Sequence, residues 1–150
     1  MNNWILTSAK NKVIKSFDDI PENEKVIGFV YKITNLTTGK FYIGKKSIFS
    51  TRKTAITKKE ILATGTRKRV KRVVKQSNWL SYYGSCKDLN DEIAAVGPAN
   101  YRREIIELCC TKKYLNYCEL SWQVKLDVLT ANSYNGNILG RYFARDMQNC

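Results

Sequence analysis

Between Gly28 and Gly44 the chain reads GFVYKITNLTTGKFYIG. Phe29, Tyr31 and Ile33 alternate with Val30, Lys32 and Thr34. A period of two in aromatic and β-branched residues predicts a strand. Asn35 to Lys40 carries Asn, Thr and Gly, which favour tight turns, and Phe41-Tyr42-Ile43 resumes the extended pattern. Together these segments predict an antiparallel hairpin. Gly44 is expected to end it and to let other groups approach the backbone closely.

Helical spacing appears further on. Leu89, Ile93 and Val96 share a face, with Asp88 as cap, Asp91 three residues later and Gly97-Pro98 as the stop. Thr111 caps a second helix running to about Val128, with Leu115, Trp122 and Leu126 along one stripe. Residues 77–86 (SNWLSYYGSC) predict one or two helical turns ending near Gly84, and Tyr101 to Leu108 (YRREIIEL), which alternates imperfectly, predicts a third strand. The segment 45–76 keeps no period, although Arg67 to Gln76 could wind into a helix with Val70, Val73 and Val74 on one face. It is expected to be a mobile insertion that orders on a partner. Residues 1–25 are polar and mixed and predict an N-terminal arm held by Trp4 and Ile5. The expected fold class is α+β, a small central antiparallel sheet of about three strands flanked by helices. Residues 26–150 would form a single domain, with the basic insertion at about 46–76.

Composition changes this picture mainly through charge. The 150 residues hold 26 Lys+Arg against 13 Asp+Glu, a net charge of +13, and no histidine. Arg52, Lys53, Lys58, Lys59, Arg67, Lys68, Arg69, Lys71, Arg72 and Lys75 crowd one segment whose only acid is Glu60. Such a run repels itself unless a polyanion neutralises it, and phosphate backbones do so with release of condensed counterions. A solvated loop and a membrane surface are the other uses of such charge. The absence of histidine excludes His ligands and Ser/His or Cys/His catalysis. No stretch approaches the ~18 apolar residues of a membrane span, and residues 1–15 lack an apolar signal core. A cytoplasmic protein is expected, in the host cytoplasm if the source is viral. The odd set of five cysteines (Cys86, Cys109, Cys110, Cys118, Cys150) fits ordinary reduced thiols better than a zinc knuckle.

One carboxylate stands out. Glu119 sits four residues after Leu115 and three before Trp122, on the apolar stripe of the second helix. It therefore points at the core or at a cleft floor, where desolvation costs several kcal/mol unless a cation or metal compensates. A buried salt bridge to Arg102, Arg103 or Lys125 would also serve. Glu104 and Glu107 compete for the role but read as a surface pair.

Tyr31 and Tyr42 occupy the two arms of the hairpin, with Gly44 and Lys45-Lys46 after the second. This arrangement resembles the GIY-YIG nuclease family. The first tripeptide is degenerate, Phe29-Val30-Tyr31 preceded by Gly28, and the second, Tyr42-Ile43-Gly44, is intact. The resemblance spans roughly Val26 to Gly136. The block Trp79 to Ser85 and the later Tyr134-Asn135-Gly136 look like small standalone nucleases carried by phages.

The resemblance implies a GIY-YIG-like domain that hydrolyses DNA phosphodiesters with Mg²⁺ or Mn²⁺. It makes Glu119 the single protein ligand to the metal. Tyr31 is implied as base or water-orienting group, with Tyr42 beside it. A phenol with pKa ~10 is a poor base unless cations lower it, and Lys45, Lys46 and Arg52 are placed in sequence to do so. Arg52 is the implied catalytic arginine, with Arg69 or Arg72 as alternatives. Tyr82 or Tyr83 would stand where some family members have histidine. Asn135 is either a residue near the metal or a turn residue. Lys46, Lys53, Arg67, Lys68, Arg69, Lys71, Arg72 and Lys75 are expected to track the backbone of double-stranded DNA. Trp79, Tyr82 and Tyr83 would either stack on bases or pack in the core. The function so implied is a phage-encoded DNA endonuclease in homing or DNA degradation, with a homodimer or protein partner where both strands are cut. The competing readings are a non-catalytic basic nucleic-acid-binding protein on the same scaffold and a ribosome-associated RNA binder.

Overall fold

Trp4 and Leu6 are fully buried, and that burial draws the start of the chain into a sheet. The structure, a computed structural model, describes residues 2–148, so Cys150 lies outside the described residues. Its strands are β1 (Trp4–Leu6), β2 (Lys12–Ile14), β3 (Gly28–Asn35), β4 (Phe41–Ser47), β5 (Phe49–Ala55), β6 (Val70–Gln76), β7 (Tyr101–Cys109), β8 (Asn137–Ile138) and β9 (Tyr142–Phe143). The helices are α1 (Lys58–Thr64), α2 (Lys87–Val96) and α3 (Lys112–Lys125). The fold is α+β, as expected.

The main sheet has five strands in the order β2-β1-β7-β3-β4, more than the three predicted. The predicted three, β7, β3 and β4, pair antiparallel at its centre and one edge. The N-terminal segment adds β1, parallel to β7, and β2, antiparallel to β1. Three-residue strands are too short to declare a period of two, which is why the pattern did not reveal them.

Two expectations about single elements are corrected. Gly44 does not end the hairpin, because β4 runs on to Ser47 with Gly44 directly opposite Tyr31. The glycine marks close approach of a neighbour. Arg67 to Gln76 does not form a helix: residues 70–76 are β6, paired antiparallel with β5 in a separate two-stranded ribbon. Like charges four apart, Lys68 with Arg72 and Lys71 with Lys75, oppose a helix there, and the valines favour extended chain. The helix of this segment is α1, capped by the Thr57 side chain accepting from the Glu60 N–H and closed by Gly65 at φ 64°.

Elsewhere the sequence signals hold with small shifts. Thr111 caps α3 by accepting from the Tyr114 N–H. In α2, Asp88 is not the cap but lies inside the first turn. Cys86 takes the cap position without a side-chain bond, Asp91 pairs with Lys87 at 2.6 Å in place of a capping box, and Val96 is exposed. One core, including Trp4, Phe29, Tyr31, Trp79, Leu89 and Ile105, fills one side of the sheet. A second, including Val30, Ile43, Cys109, Leu115 and Cys118, lies under α3 on the other. Among the described residues, no helix is long and apolar enough to cross a membrane.

Candidate active site

The site begins at a bulge. The register between β3 and β7 shifts between Val30 and Tyr31. The extra residue, Ile106, is on β7, so β3 keeps its alternation and Tyr31, 1% exposed, faces the first core with Phe29 and Ile33. The Tyr31 ring lies 6.1 Å from that of Tyr42 and 6.0 Å, edge to face, from that of Tyr82. Gly44 lies under it: a Cβ there would come within 2.6 Å of the Tyr31 Cζ and 3.0 Å of the Tyr42 ring. Gly84, at φ +90°, closes the other side, where a Cβ would sit 3.3 Å from the Tyr42 ring. Two glycines thus leave the space that two phenols fill. The Lys46 ammonium rests 4.1 Å above the Tyr82 ring.

Tyr42 is half-buried and reaches outward. Its hydroxyl shares a hydrogen bond of 3.1 Å with Ser85 Oγ. Around the edge of β4 the same side chain lines a cleft of about 240 Å³ together with Glu119, Gln123, Asn135 and Asn137. Glu119 enters this cleft from α3, half-buried. Burial raises its pKa, and the Lys45 ammonium and backbone N–H pull it back only in part. Lys45 is itself held by Asn116, three residues before Glu119 on the same helix. Arg102, Arg103 and Lys125, the alternative partners, are engaged elsewhere. Arg102 pairs with Glu104 at 3.7 Å, Arg103 stacks on Trp4 and Tyr83, and Lys125 sits over Trp122. Glu119 therefore keeps an under-compensated charge in a polar cleft.

The chain from residue 9 to residue 144 matches the family described as "Putative endonuclease segE, GIY-YIG domain". The chain belongs to the GIY-YIG endonuclease family. Nothing among curated proteins or among solved structures matches it significantly. A GIY-YIG domain is a nuclease domain, and the tyrosine hairpin described above is the part that names it.

Within this GIY-YIG domain, several residues singled out in the sequence meet and others stand apart. Tyr31, Tyr42 and Tyr82 form one aromatic cluster; Tyr42 and Glu119 share one cleft. Burial raises the pKa of both Tyr31 and Tyr42, and the nearby Glu119 charge adds to it. No net lowering by Lys45, Lys46 or Arg52 appears. Tyr83 belongs to a different set, since it covers the buried Arg103. Trp79 is core. Arg52, Lys53, Lys71, Arg72 and Lys75 lie on the β5–β6 ribbon, and Arg67, Lys68 and Arg69 on the loop entering β6. Among the described residues Arg52, opposite Val73, makes no ion pair or hydrogen bond.

Asn135 is neither a bare turn residue nor free to rotate into the cleft. Its Oδ1 accepts from the Ile43 N–H at 3.0 Å and its Nδ2 donates to the Ile43 carbonyl at 2.9 Å. It thus acts as one more rung on the outer edge of β4.

Glu107 corrects the expectation of a surface pair with Glu104. The bulge puts Ile106 and Glu107 on the α3 side together, where Glu107 receives hydrogen bonds from Tyr114, Cys118 and Trp122. Burial works against its charge, but these donors hold its carboxyl below the ordinary value. Glu107, Cys109 and Cys118 bring their ligand atoms within 4.8 Å of one another. The donors around Glu107 account for the cluster as a staple between β7 and α3, and burial pushes the Cys109 thiol up to about 12. Sequence reasoning missed Ser85, Gly84, Gln123 and Asn116. Asn116 and Gln123 had a visible signal, their i,i+3 and i,i+4 spacing to Glu119.

Proposed function

We propose that this chain is a divalent-metal-dependent DNA endonuclease whose metal ligand is Glu119. The observation that carries the reading is the half-buried Glu119 carboxylate, short of compensating charge, beside Tyr42 in a cleft lined by amides. A hard cation that keeps most of its waters fits such a donor set, one carboxylate plus neutral oxygens. Mg²⁺ or Mn²⁺ held there supplies charge neutralisation and a bound water of lowered pKa.

The chain's own residues then orient and neutralise. Both phenols are protonated at neutral pH because burial disfavours their anions. Tyr42 therefore acts as a donor and positioner for the attacking water, with Ser85 fixing its hydroxyl. Tyr31 acts beneath it as the support that fixes the Tyr42 ring. Lys45 and Lys46 bring positive charge to the phosphate, and Arg52 serves as a phosphate contact from the ribbon. The segE-type match supports a phage-borne role in homing or in degrading DNA, and a second copy would supply the second cut.

Supercoiled plasmid tests the reading. With Mg²⁺ the protein should nick it, and EDTA should stop the reaction. Glu119→Gln should lower the rate about a hundredfold or more, the scale of several kcal/mol of metal-borne stabilisation. Binding without nicking under every condition would replace this reading by the non-catalytic scaffold.

A further inference from the structure

The β5–β6 ribbon leaves the body of the protein as a separate two-stranded sheet. Its base is fastened at Ile48, which is buried: the Ile48 N–H donates to the Ile27 carbonyl, and the Ser77 N–H donates to Ile48. Beyond that point every β6 residue is exposed. Seven residues of extended chain span about 23 Å.

The two faces of the ribbon differ. Register pairs Thr51 with Val74, Lys53 with Arg72 and Ala55 with Val70 on one face. It pairs Ser50 with Lys75, Arg52 with Val73 and Thr54 with Lys71 on the other. On that second face Lys71 is bound to Glu60 of α1 at 2.6 Å. On the first, Lys53 and Arg72 make no ion pair among the described residues, and Val70 and Val74, on either side of Arg72, are 53% and 62% exposed. Arg52 and Lys75 on the second face make none either, but its valine, Val73, is more covered, at 38%. Unspent cations interleaved with bare methyl groups, on an arm that beyond Phe49 joins no core, match one surface chemically. The major groove of B-form DNA offers guanine O6 and N7 acceptors beside thymine methyls, and at about 12 Å it admits a two-stranded ribbon.

We propose that the β5–β6 ribbon is an arm that enters the major groove of double-stranded DNA. The face of Thr51, Lys53, Val70, Arg72 and Val74 meets the base edges, while the basic tip around α1 meets phosphates. This rests on DNA being the substrate and adds where and how the duplex is gripped. Because β4 runs directly into β5 through Ile48, the ribbon holds the duplex against the strand that carries Tyr42.

The test measures binding without cleavage. Glu119→Gln protein in EDTA is titrated onto a labelled mixed-sequence duplex by fluorescence anisotropy at several salt concentrations. Adding Lys53→Ala with Arg72→Ala should weaken binding about tenfold or more with little change in the salt slope, because that slope counts phosphate contacts and these two side chains meet base edges. Lys71→Ala, whose ammonium is already paired, should change affinity by about twofold or less. Dimethyl sulfate footprinting should show protection of guanine N7 that the double variant loses and Lys71→Ala keeps. Val70→Thr with Val74→Thr, which preserves the strand, should reduce that protection too. Unchanged binding in the double variant, equal loss with Lys71→Ala, protection confined to the minor groove, or equal competition by double-stranded RNA would overturn the proposal. Nicking plays no part in these readouts, so the arm can fail while the nuclease reading stands, and the reverse.

Discussion

At the scale of single residues, Glu119 and Gly44 carry the sharpest consequences. Burial raises the Glu119 pKa, so folding favours its protonated form. The stability linked to this group is complete below the unfolded-state pKa and is lost as pH rises through the folded one. Glu119→Gln in metal-free buffer should therefore melt a few degrees higher than the native chain near pH 7, and the gap should close below about pH 4. Calorimetry across pH checks this, and Mg²⁺ should raise the melting temperature of the native chain alone. Gly44→Ala forces a methyl group into the Tyr31 and Tyr42 rings. It should cost about 1–3 kcal/mol, as overpacking does. Gly136→Ala, where a Cβ meets nothing, should stay within about 0.5 kcal/mol in the same urea titration.

At the scale of elements, β4 depends on a side chain from outside the sheet. Asn135→Ala removes the acceptor of the buried Ile43 N–H and leaves the Ile43 carbonyl only the longer bond from Gln123 at 3.4 Å. The expected loss is about 1–3 kcal/mol, read from the shift in urea midpoint, together with a weakened cleft wall. Elements with a long period were legible in the sequence: the hairpin, the third central strand and both long helices, although only the cap of α3 was foreseen. Glu119 was legible too, since its place on an apolar stripe follows from helix geometry alone. What escaped has a local cause in each case. β1 and β2 are too short to show alternation. The bulge doubled the side chains at Ile106 and Glu107, so the strand looked irregular and Glu107 looked exposed. The ribbon's valines fit both a helical face and a strand, and the like charges four apart together with the pairing to β5 decide for the strand. Asn135 showed nothing in advance, because its partner lies 92 residues away.

At the scale of the whole molecule, the charge of +13 sets two opposed responses to salt. Like charges destabilise the compact chain by self-repulsion, while the same charges draw it to a polyanion. Raising salt from about 0.01 to 0.15 M shortens the screening length from about 30 to 8 Å. The melting temperature should rise over that range as duplex affinity falls, and a melting temperature that fell instead would refute the account.

The rim of the main sheet is already occupied on its β4 side. Phe41 and Ile43 bond there to Asn132, Tyr134 and Asn135. The far border, β2, is only three residues long. A foreign strand finds no extended row of open amides to copy on either side of that sheet. Strand-by-strand growth is thus closed off at the main sheet, and the exposed edges of the β5–β6 ribbon are where another extended segment could still join.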